Sequence, residues 1–237
     1  MATWHAKPQY GYTQSSTEAK ENAEMFYGVM YSLGWCLEAV SAALGNQAGE
    51  SEYNPWRWQG DVVLPVGDSR IGTIGGGNTA HAYGLFQQDP AAKYIYRPYA
   101  QSLSTYSPNY SDRSGQPHDG DAQCRYLHWI CSDPNGGEWL PNASQAQGLG
   151  MPYADFIANT RNYTVAQLTR TFFGCYERGT WSQTRPDAAE YWYNYLGGVT
   201  PPTPPTPTGD ASAWFGVFHM LAKKKKARFV YERGLYK

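Results

Sequence analysis

The sequence predicts a mostly helical α+β domain with a small β-lobe, followed by a Pro-rich linker and a short basic tail. Three observations predict it. Apolar residues recur every three or four positions in several segments, the pattern of amphipathic helices. Residues 60–80 break that pattern with short Val and Ile runs set between Gly, Pro and Asp. Five prolines crowd into residues 201–207. A chain of 237 residues allows one or two domains with a sizeable core.

In order along the chain, residues 1–14 read as an N-terminal arm. Ser15 with Glu18 has the form of a capping box at a helix start. Ala23, Phe26, Tyr27, Met30 and Leu33 then mark one face of a helix that stops near Gly34. Leu37, Val40 and Leu44 mark a second helix. It runs toward Glu50 and must end before Pro55, because the residue preceding a proline disfavours the helical conformation. Val62, Val63 and Ile71 supply the short strands of the predicted lobe. Gly75, Gly76 and Gly77 lack the lysine and hydroxyl residue of a phosphate loop. Residues 101–121 read as a long surface loop, Cys124–Cys131 as a short helix, and 133–150 as a second loop region. Helical spacing returns at 164–176, through Val165, Leu168 and Phe172, and at 186–196. There Pro186 fits the first helical position, and Gly197 with Gly198 fits the stop. The resulting domain spans 15–197. A Thr/Pro linker, 198–209, acts as a stiff extended spacer, and the basic tail occupies 210–237.

The formal net charge of −1 conceals an asymmetry. Residues 1–200 hold 12 Lys/Arg against 18 Asp/Glu, or −6; residues 201–237 hold 7 against 2, or +5. An acidic body excludes nucleic-acid readout, which needs clustered cations on phosphates. The 20 Tyr, 9 Trp and 8 Phe suit a neutral, ring-shaped ligand such as a sugar, or else fill the core. No apolar run approaches the roughly 20 residues of a membrane span. Met1–Tyr12 lack the apolar stretch of a signal peptide, so synthesis in a reducing compartment with free thiols is expected. Four cysteines, Cys36, Cys124, Cys131 and Cys175, allow three pairings, and Cys124 and Cys131 are close enough in sequence to bridge a short loop. Their spacing is not that of a zinc or redox motif, and no metal or cofactor is implied.

The chemistry concentrates in Leu44–Gln59, LGNQAGESEYNPWRWQ. Glu50 ends a helix just before the turn at Asn54-Pro55, with Tyr53, Trp56 and Trp58 close by in sequence. A general acid must hold its proton at working pH. A glutamate in water titrates near ~4.3, so apolar neighbours are needed to raise it. The alternative is an ordinary surface glutamate. A second segment, Ala82–Pro90, reads AYGLFQQDP.

These two segments, the later Tyr176-Glu177-Arg178, Arg185 and the Tyr191-Trp192-Tyr193 helix resemble the phage tail lysozyme family of the lysozyme-like superfamily. The resemblance covers roughly residues 20–196 and includes Gly34-Trp35. It implies a lysozyme-like fold in which Glu50 protonates the leaving oxygen of the β-1,4 bond between N-acetylmuramic acid and N-acetylglucosamine. Asp61 and Asp68, in the predicted lobe, are the candidates for a second carboxylate, each weighed against a role in a turn. If neither serves, attack by the sugar's own 6-hydroxyl would release an anhydro product, as transglycosylases do. Ser51, Tyr53, Trp58, Tyr83 and Gln87 are the candidate substrate-binding residues, with Ser51 also a candidate to orient Glu50. His81 sits at the expected groove edge. Glu177 and Arg178 are expected to form a buried ion pair. Gln88 stands where the family often has tryptophan, which removes one expected stacking surface.

The implied protein is a virion-associated muramidase. It is made without a signal peptide and carried in the phage tail to open peptidoglycan for DNA entry. Its partners would be peptidoglycan and, through residues 210–237, other tail proteins. A solvated tail and a membrane-surface segment are the other readings of that basic stretch. A free endolysin, a lytic transglycosylase, and an inactive lysozyme fold that binds glycan in the tail tip are the alternative functions.

Overall fold

The computed structural model describes residues 3–75, 80–108, 119–133 and 137–201. The linker from residue 202 onward and the basic tail at 210–237 lie outside the described residues, as does much of the predicted 101–121 loop. The described residues form α1 (Thr17–Ser32), α2 (Leu37–Glu50), the short α3 (Ala92–Ile95) and α4 (Pro98–Gln101), α5 (Gly120–Ser132), α6 (Tyr153–Ala158), α7 (Val165–Phe172) and α8 (Thr184–Leu196). No helix among them is long and apolar enough to cross a membrane.

Helix α2 is the centre of the molecule. Every residue from Ala39 to Gln47 is buried, and a helix buried on all sides must be wrapped by others. Helices α8, α7 and α1 supply the wrapping. Its small residues let them come close. A Cβ on Gly45 would lie 2.5 Å from the Arg185 carbonyl and 2.6 Å from the Ala189 Cβ, so the first turns of α8 lie directly against this glycine. One turn on, a Cβ on Gly49 would lie 2.8 Å from the Arg185 guanidinium carbon.

Several helix ends differ from expectation. Ser16, not Ser15, caps α1, because its side chain accepts from the Ala19 N–H. Pro186 is the third residue of α8 rather than the first. It is tolerated there because the first turn of a helix has free N–H groups in any case. The expected helix at Cys124–Cys131 begins earlier, at Gly120. The segment expected as one helix over 164–176 is α7 followed by a π-helical turn, Phe173–Glu177.

The predicted β-lobe is not formed among the described residues. Among the described residues of 60–80 there is no strand, only single turns of 3-10 helix at Gln59–Asp61 and Ser69–Ile71. Turn chemistry overrides the Val and Ile propensity. Gly60 and Gly67 take positive φ, and the Asp68 side chain accepts from the Arg70 N–H. Leu64 and Ile71 are buried, whereas Val63 and Val66 are exposed. The extended pairing that does occur is two isolated antiparallel bridges, Trp58 with Tyr83 and Tyr83 with Gln88.

The N-terminal arm is docked on the body from Trp4 onward. Trp4 is buried and its indole N–H donates to Asp121 at 2.7 Å. Asn22 accepts from the His5 N–H at 2.6 Å and donates to the carbonyls of His5 and Tyr53, each at 2.8 Å. All four cysteines are free thiols. Cys124 and Cys131 cannot bridge: both lie on α5, where seven residues rise about 10 Å, beyond disulfide reach. Cys36 caps α2 through its sulfur, which accepts from the Ala39 N–H at 3.5 Å.

In the core, His128 of α5 accepts from the Trp35 indole N–H at 3.3 Å and pairs with the Tyr153 hydroxyl at 2.9 Å. Burial, and secondarily the Arg125 charge, bring its pKa down from 6.5 to about 4. The unfolded chain therefore takes up a proton here before the folded one does, and stability falls as pH drops from about 6.5 toward about 4. The size of the effect is about 2–3 kcal/mol by pH 4. Urea titrations of wild type and His128→Gln at pH 7 and pH 4 check this. The wild type should lose more stability over that interval than the variant.

Candidate active site

Glu50 is the last residue of α2, and its side chain keeps 19% exposure. A carboxylate at the C-terminal end of a helix meets the negative end of the helix dipole. Arg185, the second residue of α8, is a cation at a positive end. The two resolve each other's misplacement: the Arg185 Nη2 donates to the Glu50 Oε1 at 2.6 Å. Arg185 is only 4% exposed. Its Nη1 donates to the Asn46 carbonyl at 3.0 Å and the Asn46 side-chain oxygen at 3.2 Å. Its guanidinium carbon lies 5.2 Å from the centre of the Phe173 ring. Asn46 in turn donates to the carbonyls of Ala42 and Thr169, which joins α7 to the same cluster.

The chain after Glu50 is held by backbone turns. Glu52 and Tyr53 both take left-handed φ, +49° and +65°, an uncommon pairing for non-glycine residues. Asn54 anchors the turn. Its amide donates to the carbonyls of Lys7 and Tyr10, and its oxygen accepts from the Trp56 N–H at 3.0 Å. The two sequence motifs then meet. The Gln59 N–H donates to the Ala82 carbonyl and the Gly84 N–H to the Arg57 carbonyl. Gln123 of α5 staples both from beneath: its amide donates to the Pro55 carbonyl at 2.7 Å, and its oxygen accepts from the Leu85 N–H at 2.7 Å. Gly84 is required at this crossing, since a Cβ there would lie 2.4 Å from that oxygen.

Most of the residues expected to face a ligand are buried. Ser51 and Trp58 are fully buried, as is Tyr83, and Tyr53 is 2% exposed. None presents a surface to a glycan. The Tyr53 ring lies 5.1 Å from Trp192, the Trp58 ring lies 4.8 Å from Tyr83, and the Tyr83 hydroxyl donates to Asp119 at 3.1 Å. The aromatic excess is thus largely core in this region. Gln87 is partly exposed, but its amide donates to the carbonyls of Arg57 and Gly84. It shapes the loop. Gln88 bonds the Tyr176 hydroxyl. His81 is half-buried, with Nδ1 2.9 Å from the Gln59 carbonyl.

The two candidate second carboxylates are each engaged by an arginine. Asp61 meets Arg57 at 2.8 Å and accepts from the Tyr10 N–H at 2.8 Å. Asp68 meets Arg70 at 2.8 Å, and that hydrogen bonding holds its carboxyl down at about 2. The carboxyl that does lie within electrostatic range of Glu50 is Glu177, at the end of the π-helical turn. It does not pair with Arg178 as expected. Arg178 turns to Glu138, at 3.0 Å, which Lys93 also approaches at 3.4 Å. Burial, then the Glu50 charge, push the Glu177 carboxyl well above the usual carboxylate range, against the opposing pull of Arg185 and Arg178. Trp181 is a residue that carries no sequence signal. It is half-buried, 5.1 Å from the Phe173 ring that underlies Arg185, with the Arg170 guanidinium 4.4 Å from its ring.

The described residues form a helical domain with a partly exposed carboxylate ending its central helix, held by a buried arginine. A family model described as phage tail lysozyme matches residues 21–196. Morphogenesis protein 1 of Bacillus phage B103 is 27% identical over 188 residues, which cover 78% of this chain and 41% of that protein. The chain thus spans about two-fifths of the length of that relative. It belongs to the phage tail lysozyme family.

Breaking the clamp from one side leaves a charge without its partner, so Arg185→Leu should cost about 3 kcal/mol. A double-mutant cycle with Glu50→Gln, followed by chemical denaturation, should return a coupling of at least about 1 kcal/mol. Additive effects would mean that the pair contributes nothing to folding.

Proposed function

We propose that this protein is a peptidoglycan glycosidase of the phage particle, with Glu50 as its general acid. One observation carries the reading. In a chain of the phage tail lysozyme family, the carboxylate at the end of the central helix keeps contact with solvent while a buried arginine fixes its orientation. Glu50 protonates the oxygen leaving the β-1,4 bond between N-acetylmuramic acid and N-acetylglucosamine. Correct placement and protonation of such a group contributes roughly 10²–10⁴ in rate.

A transglycosylase outcome is the second reading, and one observation favours it. Asp61 and Asp68 each pair with an arginine, which supports attack by the sugar's own 6-hydroxyl over use of either as a second carboxylate. The name of the phage relative supports a place in virion assembly. The basic segment 210–237 is proposed to hold the protein to other tail proteins, on the contrast between +5 in residues 201–237 and −6 in residues 1–200.

The test compares wild type with Glu50→Gln on purified peptidoglycan in a gel-clearing assay. Clearing by the wild type and a loss of about 10²-fold or more in the variant is expected. Equal clearing by both would remove Glu50 from the chemistry, and clearing by neither would favour a glycan-binding role. Antibody detection of the chain in purified virions is expected, and its absence there would favour a free endolysin.

A further inference from the structure

Arg170 is a cation beside the site that the proposed reaction does not use. It lies on α7 one turn before Phe173, and its Nε is buried without a hydrogen-bond partner. Among the described residues no carboxylate pairs with it. Helix α7, VAQLTRTF, holds no acidic residue that could serve it. Two rings hold it instead. Its guanidinium carbon lies 4.4 Å from the centre of the Trp181 ring and 5.3 Å from that of Phe173. Contact with aromatic rings leaves the N–H donors of a guanidinium open to a second partner.

This cluster adjoins Glu50. The Arg185 guanidinium carbon lies 5.2 Å from the same Phe173 ring, so the two arginines share one ring. The Arg185 Nη2 that donates to Glu50 at 2.6 Å lies 3.5 Å from the Thr180 carbonyl, which belongs to the peptide leading into Trp181. The surface is open there: residues 179–180 and 182–184 are exposed, and Arg170 and Trp181 are half-buried. Residues 1–200 carry −6, so an anionic ligand is repelled by the body except where a cation lacks its own partner. An aromatic ring with an open cation matches a sugar that bears an anion. N-acetylmuramic acid is such a sugar. It differs from N-acetylglucosamine by a lactyl ether, which ends in a carboxylate or continues into an acidic stem peptide.

We propose that Arg170 and Trp181 form a subsite for the muramoyl residue of the strand held at Glu50. The Trp181 ring packs on the sugar, and Arg170 donates to a carboxylate of its lactyl branch. The subsite selects peptidoglycan over a neutral strand with the same β-1,4 backbone. Both residues hold substrate and neither takes part in bond cleavage. The inference rests on the reading of Glu50 as the acid of a glycan-cleaving site.

The experiment measures binding by calorimetry in Glu50→Gln protein, alone and combined with Arg170→Met or Trp181→Ala. The probes are a chitooligosaccharide, a peptide-free peptidoglycan strand with free lactyl carboxylates, and a strand bearing stem peptides. Glu50→Gln should bind at least one muramoyl strand about tenfold or more tighter than the chitooligosaccharide. Arg170→Met should abolish that preference and leave chitooligosaccharide affinity unchanged. Trp181→Ala should weaken all three probes about fivefold. Dependence on Arg170 confined to the peptide-free strand upholds the subsite and identifies the lactyl carboxylate. Dependence confined to the peptide-bearing strand upholds it and identifies the stem peptide. Equal affinity for all probes, or binding of none, overturns the proposal. So does an equal loss on every probe in folded Arg170→Met, which is what a purely structural arginine would give. If Trp181→Ala does not fold, the Arg170 comparison decides alone. A wild type that clears no gel while the Arg170-dependent preference holds upholds the subsite and defeats the general-acid reading. Clearing that depends on Glu50 without that preference does the reverse.

Discussion

The contact between Arg185 and Glu50 is the constraint around which the site is arranged. Each charge lies at the wrong end of its own helix, where the dipole disfavours it by a few tenths to about one kcal/mol. Their pairing across the α2–α8 crossing offsets both terms. The crossing must be close for the arginine to reach, and Gly45 and Gly49 remove the side chains that would hold α8 away. The same guanidinium reads the carbonyl and side chain of Asn46, which is itself bonded to α7. Three helices are thereby set by one cation, and the carboxylate at the end of α2 is the member of this cluster that keeps an outlet to solvent.

Around this clamp the protein uses polar staples where a larger domain would use a sheet. Gln123 bonds Pro55 and Leu85, and Asn54 bonds the arm at Lys7 and Tyr10. Asn22 bonds His5 and Tyr53. Each amide serves loop backbone that has no ladder of its own, which is the requirement buried backbone groups impose. The aromatic side chains fill the space between staples. Trp35, Trp58 and Trp192 are all buried to 1% exposure or less. The fold therefore holds long irregular segments in place without strands among the described residues.

Much of this is legible in the sequence, and the parts that are not share a cause. Local periodicity locates α1, α2, α7 and α8, because three- and four-residue spacing reports a buried helix face directly. The ending of α2 at Glu50 follows from Pro55 and the turn residues. The lobe misleads because Val62, Val63 and Ile71 have strand propensity while Gly60, Gly67 and Asp68 form turns first. The roles of Asp61, Asp68 and Glu177 are hidden because carboxylate partners are a tertiary property. Arg185 is 135 residues from Glu50, and Glu138 takes the arginine that sits beside Glu177 in sequence. The burial of Tyr53, Trp58 and Tyr83 is open for the same reason: an aromatic beside a motif reads alike whether it faces a sugar or the core. The one sequence signal for Glu177 is its place in the YER segment of the family resemblance.

The central claim is that a carboxylate fixed by a buried arginine cuts the glycan strand on the reducing side of N-acetylmuramic acid. Mass spectrometry of the fragments that the purified protein releases from peptidoglycan tests this most directly. The account predicts fragments ending in N-acetylmuramic acid, either reducing or anhydro, with N-acetylglucosamine at the new non-reducing ends. Fragments ending in reducing N-acetylglucosamine, or fragments cut only in the peptides, would contradict it.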